Sequence, residues 1–107
     1  MTVTIVDAVR PVTGGGNTHP DLHAAPRLVT GGVDTHLDLN VAAALDQIGG
    51  LLEVAEFPAT SGGHRRLLDW LAGFGPVTRV GVEGTGSYGA GLARYLRTAG
   101  VEVAGPP

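Results

Sequence analysis

The sequence predicts an α/β domain with a mixed sheet: three antiparallel strands, then strand–helix–strand–helix–strand additions. Two observations carry this. Between Leu28 and Phe57, short runs rich in Val, Leu and Ala alternate with Gly and Asp turn signals, the pattern of hairpin-linked strands. From Thr60 onward a leucine stripe at helical spacing leads into VGVEGTGSYGAGLARYL (Val80 to Leu96), which reads as a strand, an acid, a glycine turn and an amphipathic helix.

Taken in order, Met1 to Arg10 has the composition of a short strand. PVTGGGNTHPDLHAAP is dense in Pro, Gly and Thr, the chemistry of a flexible linker, so residues 1–28 are assigned to an amino-terminal extension. Leu28, Val29 and Val33 predict the first strand, with Asp34 near its end. Asn40 to Leu45 predicts the second strand and Leu51 to Phe57 the third, with Gly49-Gly50 as the hairpin turn. Thr60 or Ser61 is suited to cap a helix whose apolar stripe is Leu67, Leu68, Leu71 and Phe74, stopped by Gly75. Val80 and Val82 predict the fourth strand, Glu83 its end, and Ser87 the cap of a second helix. In that helix Tyr88, Leu92, Tyr95, Leu96 and Ala99 share helical spacing. Val101 to Ala104 predicts the fifth strand.

With an Asp on the first strand and a Glu ending the fourth, this order resembles the ribonuclease H-like fold. GVDTH, VAAALD, GHRRLLDWLAGFG and VGVEGTGSYGAGLARYLRTAGVEV are similar, in that order, to the amino-terminal domain of insertion-sequence transposases of the "110" class. The resemblance runs from about Val29 to Ala104 and assigns residues 29–104 to that domain, leaving 105–107 as a truncated end. It implies an Asp-Glu-Asp-Asp active site similar to that of Holliday-junction resolvases. Asp34 stands at the first metal-binding acid and Glu83 at the second. The resemblance places two further aspartates and a catalytic serine beyond Pro107, so the fold is expected to be carboxy-terminally incomplete. It also implies Mg²⁺ or Mn²⁺ as cofactor, DNA as substrate, a guide RNA, an oligomer in the full-length protein, and the bacterial cytoplasm, on the nucleoid when bound to DNA. Phosphodiester chemistry with two dications needs several hard oxygen ligands around ions about 4 Å apart. Acids on neighbouring strands, about 4.8 Å apart, are close enough to share one.

Charge and composition add limits. The 107 residues carry a net charge of −3, which argues against a free-standing nucleic-acid binder. All seven basic residues are Arg. Arg65 and Arg66 open one helix, and Arg94 and Arg97 lie on the polar side of the other. Each pair reads first as a solvated face and second as phosphate contacts beside the acids. There is no cysteine, which fits a reducing compartment, and no apolar run long enough for a membrane span.

Other features have plainer readings. Gly84, Gly86 and Gly89 form a literal GxGxxG, yet the place where a dinucleotide-binding unit wants an acid holds Gly105 and Pro106. A tight turn packing helix on sheet explains the glycines better. His19, His23, His36 and His64 lack zinc-site spacing. On a continuing strand, His36 and Asp38 would share the face of Asp34. Leu37 and Asn40 depart from the resemblance, which has Lys and His there. Ser87 has no evident activating base, and Tyr88 and Trp70 are expected to pack in or beside the core.

Three function classes follow. The first is a metal-dependent transposase domain. The second is a non-catalytic remnant of a truncated transposase gene. The third is an ATPase of the ribonuclease H-like fold, ranked last because THLDLN stands where its glycine-rich phosphate hairpin would be.

Overall fold

The computed structural model describes residues 27–84 and 87–105. The chain runs β1 (Val29–Thr35), β2 (Leu39–Leu45), β3 (Leu51–Pro58), α1 (Ser61–Ala72), β4 (Val77–Glu83), α2 (Ala90–Thr98) and β5 (Glu102–Ala104). The strands form one mixed sheet in the order β3-β2-β1-β4-β5. β1–β2 and β2–β3 pair antiparallel, while β1–β4 and β4–β5 pair parallel. This is the arrangement expected of the ribonuclease H-like fold. The readings of residues 1–26 lie outside the described residues.

Period-two alternation explains the layering. Val29, Gly31 and Val33 of β1, Ala42 and Ala44 of β2, Ala55 and Phe57 of β3, and Val80 and Val82 of β4 are buried. They meet Leu67 and Leu71 of α1 and Leu92 and Leu96 of α2, each pair four residues apart and fully buried. Gly31 is bare because a Cβ there would come 3.0 Å from Leu71 Cδ1. Both helices thus cover one face. Thr30, Asp34, Arg79 and Glu83 stand on the other, where Arg79 and Glu102 form an exposed ion pair at 3.0 Å.

Four local expectations change. β1 stops at Thr35 and turns back, His36 N–H donating to the Leu39 carbonyl at 2.9 Å, so it does not continue through Asp38. The second hairpin is organised by Asp46 rather than by Gly49-Gly50 alone. Its Oδ1 accepts from the amides of Ile48 (3.0 Å) and Gly50 (2.7 Å), and Gly49 takes φ 89°. β4 begins at Val77, three residues before the β-branched pair that signals it, because Val77 pairs with Val29. Ser87 does not cap α2: the N-cap is Gly89, without a side-chain bond, and Tyr88 is 45% exposed. Trp70, by contrast, packs at the core edge as expected, its ring 5.5 Å from Phe57 and 5.3 Å from Phe74.

Candidate functional site

Asp34 and Glu83 are register partners at the carboxyl ends of β1 and β4. In a parallel pair such partners project to the same face, and both residues are exposed. The pair also marks the place where the chain's order changes direction. From β1 the chain moves outward through β2 and β3, then returns to lay β4 on the opposite side of β1. Ligands of open α/β sheets gather outside such a switch point. Single-chain periodicity puts each acid near a strand end; only the pairing of strands separated by two hairpins and a helix brings them together.

The neighbourhood is polar. His36 Nε2 stands 3.3 Å from Asp34 Oδ2, both side chains more than half exposed. The turn after β1, rather than a continuing strand, brings the ring there. An exposed pair of this kind contributes little stability. Beneath the acids, Thr35 Oγ1 donates to the Glu83 carbonyl at 2.8 Å. Gly84 has φ 154°, and a Cβ there would collide with that hydroxyl. A Cβ on Gly89 would stand 2.9 Å from Val82 Cγ1. Two of the three GxGxxG glycines therefore permit close packing, as the tight-turn reading expects; Gly86 lies outside the described residues.

A cavity of about 420 Å³ opens between α2 and the carboxyl ends of β4 and β5. Glu83, Arg94, Arg97, Thr98 and Gly105 are among its lining residues. Arg94 also borders a shallower groove against the start of α1, together with His64 and Tyr95. The rings of His64 and Tyr95 are 6.2 Å apart, and burial lowers the His64 pKa. Arg65 and Arg66 are exposed on α1 and line neither space. Of the four arginines singled out from sequence, Arg94 and Arg97 line a cavity that Glu83 also lines, whereas Arg65 and Arg66 line neither space. Thr35 escapes sequence reasoning; its only signal is a hydroxyl residue directly after the acid, on the buried parity of the strand.

Two carboxylates suit a hard dication, since Mg²⁺ commonly takes one or two protein carboxylates and completes its shell with water and substrate oxygens. Among the described residues, no group of three or more His, Cys, Asp and Glu is arranged to hold a metal. No described helix is long and apolar enough to cross a membrane.

The chain resembles the crystal structure of Pelota from Archaeoglobus fulgidus with a TM-score of 0.51 at 17% identity. The match covers 95% of this chain and 30% of that one, so the chain spans less than a third of Pelota, and the likeness is one of fold. No protein of curated function matches. A family model described as transposase, of the DEDD type and IS110 class, matches residues 31–105, well over half of the chain. That span holds both strand-end acids and the glycine turn, and the chain belongs to the IS110-class DEDD transposase family.

Proposed function

We propose that this chain supplies the Asp34–Glu83 half of a metal-dependent transposase site acting on DNA phosphodiesters. One observation carries the reading: two exposed acids, 49 residues apart in sequence, are direct register partners at the switch point of the sheet. Asp34 and Glu83 would hold Mg²⁺ or Mn²⁺, which when bound supplies Lewis-acid polarisation of a phosphoryl oxygen. Arg94 and Arg97, which line the same cavity as Glu83, would offer phosphate contacts that the net charge of −3 otherwise withholds. His36 orients Asp34 through its 3.3 Å contact. Residues 29–104 form the domain that carries this site. A guide RNA, an oligomer and a cytoplasmic location belong to the same proposal on family membership alone.

Paramagnetic broadening by Mn²⁺ tests the reading. Resonances around Asp34 and Glu83 are expected to broaden first in the wild-type chain, and the effect to be lost in Glu83→Gln and in Asp34→Asn. An unchanged response in Glu83→Gln would sink it.

A further inference from the structure

The β1–β4 ladder ends at Asp34↔Glu83, and the next link between the strands is made by a side chain. Thr35 is 3% exposed, on the helix-facing side of β1, and its hydroxyl donates to the Glu83 carbonyl at 2.8 Å. The residues around that hydroxyl are bare. A Cβ on Gly84 would run into Thr35 Oγ1 and the Thr35 carbonyl, and a Cβ on Gly89 would come within 3.4 Å of the same oxygen. A single buried hydroxyl therefore joins the last residue of β1 to the last residue of β4, with Gly84 and Gly89 packed closely against it.

We propose that Thr35 is a positioning residue, whose hydroxyl holds the end of β4 so that the Glu83 carboxylate stands in register with Asp34. The proposal rests on the metal-site reading above and extends it to a group that touches neither metal nor substrate. Backbone groups at the end of a ladder fray unless they are tied. Here the tie lies directly beneath the acid, so freeing the Glu83 carbonyl loosens the φ/ψ that aim its side chain. Outer-shell partners of this kind typically change metal affinity 10–100-fold when removed. Val retains the branched shape of Thr and deletes only the donor, while Ser retains the donor and deletes the methyl group.

The test uses the full 107-residue chain. In the metal-free protein, NMR follows the Glu83 carbonyl ¹³C resonance; a Mn²⁺ titration then gives the apparent Kd. Thr35→Val is expected to shift that resonance and raise the Kd about tenfold, with Thr35→Ser keeping both near wild type. If Thr35→Val does not fold, Thr35→Cys takes its place, because a thiol is a weak donor. Wild-type affinity in the donor-deleted variant overturns the proposal, as does an equal loss in Thr35→Ser, which marks packing rather than the hydroxyl. If the wild-type chain takes no Mn²⁺ at the pair, the metal reading fails by itself. The carbonyl resonance then decides for Thr35: an unmoved signal in Thr35→Val overturns positioning, and a shift restored in Thr35→Ser supports it.

Discussion

Asn40 lies on β2 beside Thr35 in the β1–β2 register and is 1% exposed. Neither its Oδ1 nor its Nδ2 has a hydrogen-bond partner among the described residues. A buried amide without partners costs about 1–3 kcal/mol. Asn40→Leu, of similar size, is therefore expected to raise stability by about 1 kcal/mol in urea denaturation. A loss of stability instead would show that the amide has a partner in solution. The position is legible in sequence as a departure from the family pattern, but not as a buried polar group, because burial is decided by tertiary packing. Asp34 and Glu83 are the opposite case. Their chemistry and strand-end placement are written in the chain, yet periodicity carries no information about which strands become neighbours.

Elements with strong local signals form as read. Helix α1 has its cap and its stripe in the sequence: Thr60 Oγ1 accepts from the Gly63 amide at 3.0 Å, and Leu67 and Leu71 fill the core. The helix nevertheless ends at Ala72 with Gly73 as its C-cap, two residues before the Gly75 stop read from the sequence. Thr60→Ala is expected to cost about 1 kcal/mol, measured by chemical denaturation. Gly63, in the first turn, is bare because a Cβ there would collide with the Pro58 carbonyl, so the helix crosses close over the end of β3. The start of α2 is legible only in part. Ser87 has the chemistry of a cap, but the turn keeps it out of that position and leaves Tyr88 exposed. There the glycines answer to Thr35 and Val82, residues on two other elements, and that demand overrides capping preference.

Among the described residues, both helices cover one face of the sheet. On the other face stand Asp34 and Glu83, with Val54 and Glu56 of β3 and Arg79 of β4 also exposed there. Asp34 and Glu83 with His36 nearby do not form a three-ligand metal-holding group among the described residues, whereas a two-metal centre needs several carboxylate ligands arranged around both ions. The 107-residue chain alone is therefore expected neither to cleave nor to join DNA under Mg²⁺ or Mn²⁺. Metal-dependent strand transfer by the purified chain, lost in Asp34→Asn, would overturn this expectation. Arg94 and Arg97 supply positive charge at one end of the sheet while the net charge stays negative, so binding of DNA by the chain alone is expected to be weak, with a shallow salt slope of about −1.8 for two phosphate contacts. A titration between about 50 and 200 mM salt reads that slope directly.

The strands and helices, their order and the two acids at strand ends were determined by the sequence alone, because side-chain periodicity, capping and turn chemistry are local. Tertiary structure decided the rest: that β4 lies beside β1 and puts Asp34 opposite Glu83, that Arg94 and Arg97 but not Arg65 and Arg66 share a cavity with Glu83, and that Thr35 ties the two strand ends. Each of these depends on which distant surfaces close over one another, a choice made by burial of the shared core.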